Sequence, residues 1–173
     1  MNLDKIRAHL NRAAEEFNGL VAQIGIPEGK AYPDGEPVAQ VAAIHEFGAP
    51  AMKIPPRPFF APTIEAKKEY WIKVIKQQAP KVLDGNLTAF DVLSGVGAVA
   101  ALDIQSTIAS IYSPALSPVT VMLRKWKKEG KGQRSVAEAV SALKHGEDPG
   151  TDNKPLNDTG LLIASIQSSV VKK

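Results

Sequence analysis

The sequence predicts an α+β fold, in which a small, mostly antiparallel sheet packs against several helices and carries an extended proline-rich arm. Three observations lead to this prediction. Apolar residues recur at helical spacing in several long segments. Residues 20–26 and 166–171 have the β-branched composition of strands. Residues 49–62 contain five prolines, which remove backbone donors and favour extended geometry. The length of 173 residues suits a single domain, residues 1–173.

The first half begins with a helix and a strand. A helix is predicted over residues 3–17, since apolar residues recur there at spacings of four, three and four: Ile6, Leu10, Ala13 and Phe17. Asn18-Gly19 ends it, because both residues tolerate left-handed backbone. The strand at 20–26 follows directly, bounded by Gly19 and Pro27.

A second helix precedes the arm. It is predicted over residues 37–47, with a proline suited to its first turn and Gly48 after its end. Its apolar face is expected to comprise Val38, Val41, Ile44 and Phe47. The proline-rich arm, residues 49–62, is expected to be ordered and to anchor through Phe59 and Phe60.

Two more helices are predicted beyond the arm. One covers residues 63–78, with Pro80 limiting its end, and the longest covers residues 88–112. Thr88 and Asp91 have the spacing of a capping box. An apolar stripe that begins at Phe90 is expected to face inwards, and the many small residues of this helix indicate close packing against another helix or a sheet.

The last third is more polar. Two Ser-Pro pairs at 113–118 predict a stiff turn, residues 119–128 suit a short helix or a strand, and residues 135–143 suit a helix. Residues 129–153 are interpreted as an insertion or a mobile loop. A short helix is expected at 161–165, with Asp158 or Thr159 as its cap, before the closing strand.

Composition excludes several kinds of function. The absence of cysteine excludes disulfides, thiolate metal sites and cysteine nucleophiles. No secretion signal and no membrane span are expected, so we predict a soluble protein. The net charge of +3, from 21 basic and 18 acidic residues, is too small to indicate nucleic-acid binding by itself.

Two motifs invite a chemical interpretation. Asp158-Thr159-Gly160 matches the catalytic triplet of aspartic peptidases, whose chemistry needs a second carboxylate from a dimer partner. However, Leu161 replaces the small residue expected there, and only 13 residues follow the triplet. His45-Glu46 resembles part of a helical zinc motif, but Ala49 occupies the position of the second histidine. We therefore predict no catalytic residue, no metal and no cofactor.

The strongest local charge excess lies at residues 124–134. Its basic residues can neutralise phosphates and Trp126 can stack on a base, so Arg124, Lys125, Lys127 and Lys128 are candidate DNA contacts. A solvated flank or a disordered arm is the other interpretation. The proline-rich arm also has the composition of a ligand for a proline-reading module, but its two phenylalanines favour anchoring in its own subunit or a neighbour.

Six landmarks follow one another in the order found in the tail-completion and neck proteins of long-tailed bacteriophages, the family of minor tail protein Z. They are a glycine-containing strand at 21–26, Tyr32-Pro33-Asp34-Gly35, His45-Glu46-Phe47-Gly48, Ile54-Pro55-Pro56-Arg57-Pro58-Phe59, the Ser-Pro turn that runs from Pro114 to Thr120, and Lys154-Pro155-Leu156-Asn157-Asp158-Thr159-Gly160 with the leucines after it. The chain resembles this family from about Gly19 onwards. It departs from the pattern in the long gap between Thr120 and Lys154.

The resemblance implies a structural protein of the virion without catalysis. Such a protein would form a ring, typically hexameric, that completes the tail and joins it to the head connector around the DNA channel. Its partners would be its own copies, the connector, and a tail terminator or tail tube protein, with possible non-specific contact with packaged DNA. It would act in the host cytoplasm during assembly and remain in the neck or tail of the virion.

A closed ring needs two different patches that meet between neighbouring copies. The arm is a plausible donor, because a stiff segment loses little entropy when it docks. The residues expected at the assembly interface are His45, Glu46, Phe47, Arg57, Pro58, Phe59 and Phe60. Replacing both arm phenylalanines with alanine is expected to leave a folded monomer that fails to assemble. An aspartic-peptidase-like morphogenesis enzyme using Asp158, and a non-specific DNA-binding module using residues 124–134, remain the alternatives.

Overall fold

The computed structural model describes residues 3–132, 134–156 and 160–173 of the chain. Over these ranges 59% of the chain is helical and 10% is strand, and the strands form a small antiparallel sheet, so the predicted α+β fold is confirmed. The elements in chain order are α1 (Leu3–Phe17), β1 (Leu20–Gly25), α2 (Val38–Phe47), a 3-10 turn (Pro50–Met52), α3 (Phe60–Leu83), α4 (Ala89–Ser110), α5 (Pro118–Lys128), α6 (Val136–Lys144), α7 (Leu161–Ser165) and β2 (Gln167–Lys172).

Helix α4 is the centre of the fold, with α3 packed on one side and the sheet on another. The predicted capping box begins it, since the Thr88 hydroxyl accepts from the Asp91 amide and the Asp91 carboxylate accepts from the Thr88 amide. A Cβ placed on Gly97 would lie 3.1 Å from the Ser168 Cβ, so glycine allows β2 to approach the helix closely. The predicted close packing of the small-residue helix is therefore confirmed.

The inward face of α4 differs from the predicted stripe at its start. Phe90 is 53% exposed, whereas its neighbours Ala89 and Val92 are buried. The reason is that the sheet and α3 both lie on α4, so its buried face is wider than a single stripe and is set by its neighbours. By length and composition alone α4 is long and apolar enough to cross a membrane, contrary to the prediction that no segment of the chain is. In this fold it is the helix on which the sheet and α3 pack.

The sheet has two strands in the described ranges. β1 and β2 are antiparallel, with Leu20 opposite Lys172 and Gly25 opposite Gln167. The main core lies where α2, α4, α7 and the end of the arm meet, and its buried residues are Val38, Ala42, Phe59, Ala101, Ile104, Ile108, Leu156, Leu162 and Ile166.

Helix α3 is longer than predicted at both ends. It begins at Phe60, so the last three residues of the predicted arm are helical. Pro62 is tolerated because it lies in the first turn, where backbone amides have no intrahelical partner. At the other end the helix passes through Pro80, whose carbonyl accepts from the Asp84 amide at 3.0 Å. The prediction that Pro80 limits the helix was therefore wrong.

Helices α5 and α6 form a hairpin with a small core of its own. Met122, Trp126 and Ala139 are buried in it, and a capping box of Ser135 and Glu138 begins α6. Residues 119–128 are thus helical, and the predicted insertion or mobile loop, residues 129–153, contains an ordered helix. Because Trp126 is 3% exposed, it is not available to stack on a base.

Two predicted apolar faces are only partly buried. On α1, Leu10 is 52% exposed and Phe17 is half-buried, while the side chains of Ile6 and Ala13 lie outside the described part of the chain. On α2, Phe47 is 77% exposed, although Val38 on the same predicted face is fully buried. The helix ends at Phe47, and the chain turns away before anything covers that ring.

Candidate functional site

Segments far apart in the sequence meet at the C-terminal end of α2. The arm, residues 49–59, returns along this end, and the turn at 113–118 lies against it. Glu46, Arg57 and the carbonyls of Pro114 and Ala115 make the contacts that hold these segments together. We call this arrangement the junction.

Glu46 caps α3 from a different helix. Its Oε2 accepts from the amides of Phe59 at 2.7 Å and Phe60 at 2.9 Å, and its Oε1 accepts from the amide of Ala61 at 3.0 Å. These amides begin α3 and have no intrahelical acceptor, and a carboxylate also interacts favourably with the positive end of the helix dipole. The buried carboxylate is therefore fully occupied by the fold.

Arg57 ties the arm to the turn after α4. Its Nε donates to the Pro114 carbonyl at 2.6 Å, and its Nη2 donates to the Ala115 carbonyl at 3.1 Å. The residue is 4% exposed, and burial, followed by the nearby charge of Arg124, lowers the pKa of its guanidinium. Two backbone carbonyls thus satisfy a buried cation, which is a structural use of arginine.

Gly48 makes the return of the arm possible. Its φ is +76°, and a Cβ there would lie 2.9 Å from the Pro56 nitrogen and 3.0 Å from the Ile54 carbonyl. Only glycine combines this backbone conformation with so close an approach. The reversed chain then places the Arg57 amide 2.6 Å from the His45 carbonyl.

His45 lies beside these groups in its neutral form. Burial, followed by the positive charges of Arg57 and Arg124, lowers its pKa to about 4. Its Nδ1 is buried without a hydrogen-bond partner in the described structure. A neutral imidazole whose pKa is lowered by burial and by two guanidinium groups is a poor general acid and suits a packing role.

The pKa of His45 gives a prediction for the pH dependence of stability. The unfolded chain takes up a proton near pH 6.5 and the folded chain only near pH 4, so stability should fall as the pH drops between these values. Because the imidazole is only partly buried, we expect a loss of about 2 kcal/mol. His45→Gln should remove this part of the loss, which urea denaturation at a series of pH values measures. Equal pH dependence in both proteins would contradict the assignment.

The expected assembly residues divide into an inner and an outer group. Glu46, Arg57 and Phe59 are buried in their own subunit, and His45 and Phe60 are partly buried. Phe47 and Pro58 are exposed. The expectation that the arm anchors through its phenylalanines is confirmed for its own subunit. The expectation that both could be removed from a monomer that stays folded is corrected, because Phe59 is 0% exposed.

The basic cluster is largely bound to its own chain. Arg124 donates to the Lys154 carbonyl at 2.8 Å, Lys125 donates to the Asp148 carbonyl at 2.7 Å, and Lys128 pairs with Asp152. Lys127 is exposed on the same helix. The contacts of Arg124, Lys125 and Lys128 join α5 to the segment 148–154, so this face does not form an unobstructed phosphate-binding groove.

The same basic helix borders a polar cleft. It has a volume of about 210 Å³, and its lining includes Tyr32, Asp34, Glu36, His45, Arg124 and Lys127. Acidic and basic side chains both line the cleft. The sequence does not predict that these segments meet, because nothing in the turn at 32–35 indicates its partner.

The triplet Asp158-Thr159-Gly160 lies mostly outside the described residues, and so does the predicted cap of α7. Gly160 precedes the helix with a φ of +71°. No group of three or more potential metal ligands is found in the ranges that the structure describes. Comparisons with protein-family models, with curated proteins and with solved structures gave no match to this chain.

Proposed function

We propose that this chain is a structural virion protein of a bacteriophage neck or tail. In this proposal its copies form a hexameric ring that completes the tail and joins it to the head connector around the DNA channel. Its partners are further copies of itself, the connector, and a tail terminator or tail tube protein. It assembles in the host cytoplasm and remains in the virion, without catalysis and without a cofactor.

One observation supports this proposal most strongly. Three of the six landmarks that carry the resemblance contact one another, although they lie far apart in the sequence, and the segment that leads into a fourth is bound beside them. The helix end at 45–48, the arm at 54–59 and the turn at 114–118 meet through Glu46 and Arg57, and Arg124 and Leu116 bind backbone groups at 153–154. Landmarks that are separate in the sequence therefore belong to one folded junction.

The chemistry of the junction favours a structural role. The carboxylate of Glu46 binds three amides, the guanidinium of Arg57 binds two carbonyls, and the imidazole of His45 is neutral. A catalytic site needs polar groups that are free to act on a substrate. Here the polar groups hold backbone segments at fixed positions, as expected of a protein that functions through rigid surfaces.

The exposed apolar side chains beside the junction suit contact with a neighbour. Phe47 precedes Gly48 and Met52 follows it by four residues, and both side chains are largely exposed. Large exposed apolar side chains next to a rigid scaffold are typical of protein contact sites. We propose Phe47 and Pro58, rather than Phe59, as the members of the expected interface that reach another subunit.

Deleting the gene from the phage that carries it tests this function. Electron microscopy should then show filled heads and separate tails, and expression of the wild-type protein in trans should restore joined particles. Asp158→Asn should restore them equally well, since the proposal gives this carboxylate no catalytic role. Joined, infectious particles without the protein would contradict the proposal, and failure of a folded Asp158→Asn protein would favour the peptidase alternative.

A further inference from the structure

The two-stranded sheet has two open edges. Each strand packs on the other strand and on α4, and no other element packs on either strand to a comparable extent in the described ranges. A sheet of two strands is marginal by itself and depends on the helix beneath it. Both outer edges therefore present backbone groups to the surroundings.

The alternation of hydrogen-bonded pairs along the two strands shows which backbone groups point outwards. Lys173 donates to the Gly19 carbonyl at 2.7 Å, which makes 19 and 173 a hydrogen-bonded pair. Hydrogen-bonded and non-hydrogen-bonded pairs alternate along an antiparallel ladder. The backbone groups of residues 21, 23 and 25 therefore point towards those of residues 171, 169 and 167 on the partner strand. The amides and carbonyls of the intervening residues point outwards: Leu20, Ala22 and Ile24 on β1, and Ser168, Val170 and Lys172 on β2. Apart from the ladder, these six residues have no backbone hydrogen bond in the described structure.

The β1 edge lacks the usual protection against pairing. Proteins block exposed edges with prolines, charged residues or a covering element. Residues 20–26 contain neither a charge nor a proline, and the first proline comes at Pro27. The β2 edge has one charged residue, Lys172, at its last position. An unprotected row of outward donors and acceptors is chemically suited to one partner, which is another extended backbone.

We propose that the β2 edge of one copy pairs with the β1 edge of the next copy of this chain. The two edges lie on opposite sides of the same ribbon, so the contact is heterologous and each added copy offers a fresh edge. A rotation that keeps strand direction places β1 of the next copy antiparallel to β2, which continues the existing ladder. Ring closure would leave no open edge. This inference rests on the proposed ring and names the backbone contact that builds it.

The expected strength of this contact follows from its size. Pairing over six residues in each strand buries less than the roughly 800 Å² per partner of a standard interface. A single contact is therefore weak, and closure makes the ring more stable than the separate pairs. Self-association of the wild-type chain should appear between about 10 µM and about 500 µM.

Two proline variants test the contact by sedimentation velocity and native mass spectrometry. Ala22→Pro blocks the β1 edge and Val170→Pro blocks the β2 edge, and each proline replaces an amide that points away from the partner strand. Each variant alone should remain monomeric throughout the range in which the wild-type chain associates. Ala22→Ser and Val170→Thr, which keep the amide, are the matched controls and should associate like wild type.

Mixing the two blocked variants gives the sharpest result. Each keeps the edge that the other lacks, so an equimolar mixture should form heterodimers that do not grow further. Homodimers of either variant would mean that like edges pair and would overturn the proposal. A wild-type chain that stays monomeric throughout the range, or proline variants that associate normally, would overturn it as well.

Amide hydrogen exchange on the wild-type chain gives an independent test should the proline variants fail to fold. The amides of Leu20, Ala22 and Ile24, with those of Ser168, Val170 and Lys172, should exchange about tenfold or more slowly in the associated sample than in the dilute one. The alternate amides of the ladder should be protected in both samples. Unchanged outward amides in an associated sample would exclude edge pairing. A monomeric wild-type chain would leave the neck function standing, because assembly on the particle is tested by the gene deletion.

Discussion

Phe59→Ala is expected to reduce the free energy of unfolding by about 4 kcal/mol, because it empties the centre of the main core. The Phe59 side chain is 0% exposed, and the centroid of its ring lies 4.9 Å from the centroid of the Phe60 ring. Typical domains have a total stability of about 5–15 kcal/mol, so a large share would be lost. Urea denaturation followed by circular dichroism measures the change.

Phe47→Ala is the matched control for this experiment. The same side chain is removed from a neighbouring segment where it is 77% exposed, so stability should change by no more than about 0.5 kcal/mol. Its effect, if any, should appear in assembly. Equal losses in the two variants, or a loss below about 1 kcal/mol for Phe59→Ala, would contradict the assignment of one ring to the core and the other to the surface.

Glu46→Ala is expected to cost about 3 kcal/mol, the second largest effect. The substitution leaves the amides of Phe59, Phe60 and Ala61 without their acceptor, and unsatisfied buried amides cost about 1–3 kcal/mol each, part of which water recovers at a helix end. Glu46→Gln keeps one acceptor oxygen and should lose roughly half as much. Thermal and urea denaturation of both variants provide the measurement.

Glu65→Ala is the control for Glu46→Ala. Glu65 lies exposed on α3 itself and makes no hydrogen bond or ion pair in the described structure, so its removal should leave stability almost unchanged. If Glu46→Ala proved as mild as Glu65→Ala, the cap would not contribute to holding the arm.

The fold could be predicted where local signals are strong. Gly19 lies two residues after the end of α1, and Gly48 directly follows the end of α2. The capping box of Thr88 and Asp91 can be recognised from the spacing of the two residues alone. β1 and β2 were predicted to within one residue at each end, because glycine, proline and the end of α7 bound them. These features depend on steric preferences and hydrogen bonds between residues close together in the sequence, so a single sequence is enough to predict them.

The junction could not be predicted, because its contacts are long-range. Arg57 binds the carbonyls of Pro114 and Ala115, more than fifty residues away, and nothing in local composition indicates that pairing. Glu46 also has the appearance of an ordinary surface residue until the helix that it caps is placed. For the same reason, Phe47 and Phe59 were both expected at the assembly interface, but only the structure distinguishes the exposed ring from the buried one.

Quantitative mass spectrometry of purified virions, combined with averaged electron micrographs of the head–tail junction, tests the proposed structural role most directly. We predict that the protein is present at a fixed copy number relative to the head connector and that it accounts for a ring of density between the connector and the tail. A protein that is required for assembly but missing from finished particles would contradict this role, because an enzyme or a transient factor would behave in that way.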